Sequence, residues 1–197
     1  MATVATPKGL TPVGYLSGRP YNGAFRQIKI ASGLASNIFN GDCVKMLNTG
    51  TIDKDAITVA STANAALGVF LGCSYTDPNL NYKVFRNFWP TGTVASDAYA
   101  FVADDPNLVF QIQASAAITQ TMLGNNACLI NTAGSTLVGR SRIALDGVTN
   151  VPATTATFPF KIIGFVEGGG NTVGDVFTEV LVKWNATMHH YDSATGI

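Results

Sequence analysis

LGVFLGCSYTDPNLNYKVFRNFWP, Leu67 to Pro90, is the stretch whose reading decides the fold class. Leu67, Val69, Leu71, Cys73 and Tyr75 fall on one side of an extended chain, and Gly68, Gly72 and Ser74 fall mostly on the other. A period of two marks a half-buried strand. Thr76-Asp77-Pro78-Asn79 breaks the run, because proline lacks an amide donor and Asp and Asn bond their own backbone in turns. A second run, Tyr82 to Trp89, follows and ends at Pro90. Two such runs around a short polar loop predict an antiparallel hairpin. Its aromatic residues lie on both faces, so one face meets the domain core and the other needs a second layer or a partner chain.

Outward from this hairpin, short strands and turns dominate. Arg26, Ile28 and Ile30 alternate with Phe25, Gln27 and Lys29. Asn40-Gly41-Asp42 separates Ile38-Phe39 from Cys43–Met46 and predicts a hairpin, since Asn-Gly tolerates positive φ. Asn48-Thr49-Gly50-Thr51 predicts another turn, followed by Ile57-Thr58-Val59. Ala98–Val102 reads as a strand ended by Asp104-Asp105-Pro106-Asn107, and Leu108–Gln113 as a half-buried strand. Ala114–Leu123 carries the only helix chemistry, with Gly124 to cap it. Ala127–Ile130 reads as one strand, Gly134–Pro152 as a long polar contact loop, and Phe158–Val166 as a strand. Gly168–Asn171 turns the chain before Val180, Val182 and Trp184 alternate. The pattern predicts a mainly β fold: an antiparallel β-sandwich or barrel-like body with at most one or two short helices. Residues 1–22, broken by Pro7, Pro12, Pro20 and four glycines up to Gly23, read as an extended N-terminal arm. Residues 23–188 form the body and 189–197 a polar tail.

Composition limits the function. In 197 residues only 12% are Asp, Glu, Lys or Arg, about half the usual ~25%, and the formal net charge is +0. Such a surface holds copies apart weakly and suits a protein that works within an assembly. It lacks the clustered Lys and Arg that nucleic acid demands. No apolar run approaches ~20 residues, so no membrane helix is expected. The N-terminus does not read as a secretory signal. Cys43, Cys73 and Cys128 are odd in number and widely spaced, which predicts buried reduced thiols made in a cytoplasm.

Chemistry-bearing clusters are few. Asp104-Asp105 could hold a hard cation or act as an acid–base pair, but Asp-Pro-Asn is ordinary turn chemistry. His189 and His190 are the only histidines and fall in the expected exposed tail. No Gly-x-Ser-x-Gly or phosphate loop occurs. No catalytic, cofactor or metal residue is therefore assigned. Arg140 and Arg142 form the densest basic spot and either meet a carboxylate on a partner or sit in water. Trp89 and its aromatic neighbours fit core or subunit packing better than sugar stacking.

Several stretches together resemble one family. They are Ala31-Ser32-Gly33 through Ile38–Lys45, Leu67–Asp77, Asn87-Phe88-Trp89-Pro90, Ala103–Asn107 with Val109-Phe110, Gly139-Arg140-Ser141, Ile163–Val166 and Gly174–Phe177. In this order they are similar to the head decoration, or cement, proteins of tailed bacteriophages. The resemblance implies a β-rich, non-enzymatic homotrimer made in the host bacterium. It would bind the outside of the capsid and bridge subunits of the major capsid protein, without cofactor, nucleic acid or membrane. The expected contact residues are Tyr15, Leu16, Tyr75, Phe85, Phe88, Trp89, Arg140 and Arg142. The alternative is a carbohydrate-binding β-domain of a phage surface adhesin, using Trp89 or Tyr75.

Overall fold

The computed structural model describes residues 4–57, 66–186 and 188–193. Its strands, in chain order, are β1 (Thr11–Tyr15), β2 (Arg26–Lys29), β3 (Ile38–Phe39), β4 (Cys43–Met46), β5 (Ile52–Lys54), β6 (Ala66–Thr76), β7 (Lys83–Arg86) and β8 (Phe88–Trp89). They continue with β9 (Tyr99–Ala103), β10 (Leu108–Gln113), β11 (Asn126–Ala127), β12 (Leu129–Ile130), β13 (Ala144–Leu145), β14 (Phe160–Phe165) and β15 (Glu179–Trp184). The body is a mainly β assembly of packed antiparallel sheets. One sheet runs β1-β10-β15-β14-β11; the other runs β2-β9-β6-β4-β5, with β7 also on β6. The short pairs β12-β13 and β3-β8 complete it.

The first sheet follows directly from alternation. In β15, Val180, Val182 and Trp184 are buried while Glu179, Leu181 and Lys183 are half-buried. Phe110 of β10 and Ile162 of β14 both stand opposite Val182. Trp184 closes this core, stacked on Phe160 at 4.4 Å between ring centroids and edge-on to Phe110 at 6.2 Å. The expected strands at 108–113 and 179–184 are present in full, and the one at 158–166 is trimmed to 160–165.

β6 is buried on both faces, and its side chains do not keep one alternation. Ala66 and Val69 enter the core shared with the first sheet, while Leu67, Phe70, Cys73 and Tyr75 enter a second core on the opposite side. Leu71 packs against the first core. The expected common face of Leu67, Val69, Leu71, Cys73 and Tyr75 is thus divided between two cores. Two register shifts cause it: one against β4, where Val44 pairs Gly68 and Lys45 pairs Ala66, and one against β9 between Phe70 and Gly72. Each extra residue reverses which side the following side chains take.

The β6–β7 hairpin forms as expected, Cys73 opposite Arg86 through Thr76 opposite Lys83. Asp77 organises the turn: Oδ1 accepts the Asn79 N–H and Oδ2 accepts from Arg86 at 3.1 Å. The second run does not continue as one strand. Phe88-Trp89 leaves β7 and pairs with Ile38-Phe39. Consequently the Asn40-Gly41-Asp42 turn does not make a hairpin, because β3 pairs β8 and β4 pairs β5 and β6. It is a tight turn, with Asp42 N–H donating to Phe39 O at 2.9 Å. It is locked by buried Asp42, whose Oδ2 accepts from the Phe39 N–H and meets Lys54 Nζ at 3.0 Å. The β4–β5 turn at Leu47–Thr51 forms as read, but the strand after it is β5. Of the expected strand at 57–59, residues 58 and 59 lie outside the described residues.

Other departures share a cause: tertiary partners capture backbone groups that local propensity assigned elsewhere. No helix spans Ala114–Leu123. Ala114 N–H donates to Thr178 O, Ser115 N–H to Leu145 O and Ile118 N–H to Thr178 Oγ1, leaving one turn at Gln120–Met122. Ala127–Ile130 divides at buried Cys128 between two sheets. The 134–152 segment contains β13, and its Asp146 anchors it by accepting from the N–H groups of Val148, Thr149 and Asn150. The N-terminal arm packs on the body of its own chain: Thr11–Tyr15 is the edge strand beside β10, and Leu10 is buried. Leu16 N–H donates to Asn107 O and Thr6 N–H to Gln113. The proline- and glycine-rich spacing hid this strand, since an edge strand tolerates Pro12 and a bulge at Gly14. The tail is also partly docked. His189 is 0% exposed and bridges to Ala66, so the expectation of an exposed histidine is corrected.

Candidate functional site

The second sheet is longer than the sheet that covers it. On β9, Ala103 lies in the core between the two sheets, while Ala100 and Val102 enter the opposite core. Phe101 shares the face of Ala103 but lies past the covering sheet, and it is only half-buried. Alternation therefore forces an overhang: a face that is core for half its length continues in the open. Three rings line it. Phe85 of β7 stacks on Phe101 at 6.3 Å and 16°, and Phe25 tilts against Phe101 at 4.9 Å. Phe85 is 72% exposed and Phe25 51%.

Phe85 and Phe101 stand on strands that flank β6, and the residues between them are small. Gly72 pairs with Phe101, and Ser74 pairs with Phe85. The Phe85 and Phe101 rings lean together over that gap. Lys29 and Lys83, both exposed, stand at the rim. Exposed single apolar residues are ordinary, whereas a contiguous aromatic row on a sheet face marks an interaction surface.

The expected contact residues do not gather in one place. Phe85 lies at one end of the open row and is its most exposed ring. Tyr75 and Trp89 do not reach the surface: they are 1% and 0% exposed and pack edge-on at 5.1 Å in the second core. Their assignment as contacts is corrected, because the bulge at Gly72 and the crossing of β8 turn both rings inward. Phe88 is half-buried and stacks on Phe39. Tyr15 is half-buried, and exposed Leu16 follows it at the end of β1. Arg140 and Arg142 are exposed on a loop whose Gly139 packs against Asn87 and Phe88. There Ser135 N–H donates to Arg140 O and Gly139 N–H to Ser135 O, closing a turn that presents Leu137, 94% exposed, and Val138.

Phe25, Phe101, Leu137 and Val138 were missed. Phe101 carried a usable signal, since a phenylalanine alternating with Ala100 and Val102 must face away from them. Leu137-Val138 carried one as well: two adjacent aliphatics within a turn-rich loop.

Titratable groups are set mainly by burial. The three cysteines are free and buried; burial raises the Cys73 thiol to about 12 and Cys128 to about 11, and Cys43 rises well above its usual value. Such thiols are inert at neutral pH. Asp104-Asp105 is turn structure as expected, with Asp105 Oδ1 accepting the Asn107 N–H at 2.8 Å. Asp104 also accepts from Arg26 Nε at 2.8 Å and from the Tyr191 hydroxyl at 2.9 Å. Among the described residues no group of three His, Cys, Asp or Glu side chains could hold a metal ion, and no helix is long and apolar enough to cross a membrane.

Comparison with protein-family models, curated proteins and solved structures finds no significant match.

His189 yields a pH prediction. Its Nδ1 accepts the Tyr191 N–H at 3.2 Å, and its ring packs on Trp184. Burial lowers its pKa below 6.5, outweighing the opposite pull of Asp192 and Asp104. The folded chain then binds fewer protons than the unfolded chain between the lowered value and 6.5. Stability falls as pH drops through that window and is regained above it. Urea unfolding should show a lower midpoint at pH 5.5 than at pH 7.5, and His189→Asn should reduce that difference. An unchanged difference in the variant would assign the effect elsewhere.

Proposed function

We propose that this protein is a non-enzymatic virion component that binds the outside of a phage capsid as a homotrimer and ties subunits of the major capsid protein together. The capsid as partner rests on the sequence resemblance. The observation that carries an assembly role is the open Phe25–Phe101–Phe85 row, a core-like face without its second layer. The Leu137-Val138 tip with Arg140 and Arg142 supplies a second anchor. Two contact regions far apart in sequence suit a bridging protein. Joined contacts strengthen one another through effective concentration, so each can be modest alone. The sparse charge fits contacts made by apolar and neutral polar groups. The alternative adhesin reading loses its two named rings, since Tyr75 and Trp89 are buried.

Cosedimentation with purified heads tests this. Wild-type protein should pellet with heads and saturate. Phe85→Asp should weaken binding at least about tenfold, as expected for a large aromatic anchor, while its thermal unfolding stays close to wild type. Leu137→Asp should weaken it through the second region. Light scattering should report three times the 20.6 kDa chain mass. Wild-type protein that leaves heads unbound, or full binding by both variants, would overturn the proposal.

A further inference from the structure

Where the edge of the first sheet meets the overhang, the two sheets enclose a corner. Two adjoining clefts of about 420 Å³ and 490 Å³ lie there and share Tyr15, Asp105 and Asn107, and together they line the groove. Each is of the size that small-molecule sites take, roughly 300–1,000 Å³. We propose that this groove binds a neutral saccharide chain, with Tyr15 and Phe25 as stacking platforms and Asp104, Asp105 and Asn107 as hydroxyl partners.

Chemistry selects that ligand class. Aromatic rings accept the apolar C–H face of a pyranose; Phe25 is 51% exposed, and half-buried Tyr15 lines both clefts. Carboxylates and side-chain amides offer paired acceptor and donor positions to vicinal hydroxyls. Here the polar groups are set in place by the protein itself. Arg26 and the Tyr191 hydroxyl both bond Asp104 Oδ2, which fixes the carboxylate and leaves Oδ1 outside those two bonds. Arg26 in turn lies over the Tyr191 ring at 5.2 Å. Asp105 is held by the Asn107 N–H. Groups already ordered lose little freedom on binding.

Charge rules out the obvious competitors. The groove has two carboxylates against one guanidinium that is already paired, so phosphate or sulfate esters are repelled. A peptide adding along the 105–108 wall would need free main-chain donors there. At the groove floor the Asn107 N–H is taken by Asp105 Oδ1 and the Leu108 N–H by Asp105 O, while Asn107 O accepts from Leu16. A sugar needs none of these. The inference goes beyond capsid attachment: the groove shares Phe25 with the aromatic row, while Tyr15, Asp104, Asp105 and Asn107 lie outside it.

Saturation-transfer NMR with neutral glucan, mannan and chitin oligosaccharides tests the proposal, followed by titration of any sugar that responds. Binding with a dissociation constant of about 1 mM or tighter is expected, typical of a shallow site and equivalent to roughly −4 kcal/mol. Asp105→Asn keeps an acceptor for the Asn107 N–H while removing the charge, and Phe25→Ala removes an exposed ring. Each should weaken binding at least fivefold, and Asp105→Asn should leave head cosedimentation unchanged. Sulfated oligosaccharides should bind more weakly than their neutral counterparts. Absence of transfer to every neutral sugar, equal binding by both variants, or preference for the sulfated forms would overturn the assignment. So would loss of head binding in Asp105→Asn, which would make the groove part of the capsid contact.

Discussion

Trp89→Ala is expected to cost roughly 3–5 kcal/mol of unfolding free energy, the range for deleting a large buried aromatic side chain. That is a large fraction of the about 5–15 kcal/mol that holds a domain together. The ring is fully buried, lies edge-on to Tyr75, and sits on the short strand that joins the β6–β7 hairpin to β3. Its loss opens a cavity and unties that junction. Phe85→Ala, four residues earlier, should change stability by no more than about 0.5 kcal/mol, because its ring meets solvent over most of its surface. Urea unfolding of the two variants side by side reads the contrast. If Trp89→Ala unfolds like wild type, Trp89 is not part of the core and the present account of β8 fails. The same pair separates fold from function, since Phe85→Asp is the variant expected to release the protein from heads.

Gly68→Ala is expected to destabilise by about 3 kcal/mol, the upper end for overpacking a tight interior. An added Cβ would fall inside van der Waals distance of the Ala103 carbonyl oxygen and 2.9 Å from Asp104 Cα. Both are backbone atoms of the neighbouring strand and its turn, so no rotamer can move aside. Gly68 also sits at the first bulge of β6, where the chain changes which core each side chain enters. Displacing it would loosen the seam between both cores and shift the Asp104 turn at the groove. Gly164→Ala is the control. Its Cβ would meet only the Leu181 side chain, at 3.4 Å and beyond, and the cost there should stay below about 1 kcal/mol. Equal midpoints for the two variants would show that β6 and β9 can separate freely.

Which parts of the molecule could be read from its residues follows from how far the relevant physics reaches. Turn chemistry is local, so Asp77-Pro78, Asn48–Thr51, Asp104–Asn107 and Gly168–Asn171 all turn where their residues say they should. Alternation within a few residues is local too: β15 obeys it in burial, and β10 sends Leu108, Phe110 and Ile112 into the first core, though Val109 and Gln113 on its other face are buried as well. The β class, the β6–β7 hairpin and the need for cover on the hairpin's second face were therefore legible. The failures lie where a distant strand competes. Ala114–Leu123 is drawn out of a helix by Thr178 and Leu145. The edge strand at 11–15 exists because β10 is there to pair with it. His189 is buried because β6 and Trp184 surround it.

The amino-acid order alone set the β architecture, the punctuation of its loops, the scarcity of charge and the excess of rings around the central hairpin, since each depends on neighbours in the chain. Only the tertiary structure decided which rings are core and which are surface. Two bulges in β6 exchange its faces, and the covering sheet ends before β9 does. Trp89 is thereby sealed and the Phe25–Phe101–Phe85 row left open, a choice made by register and sheet length between strands far apart in the chain.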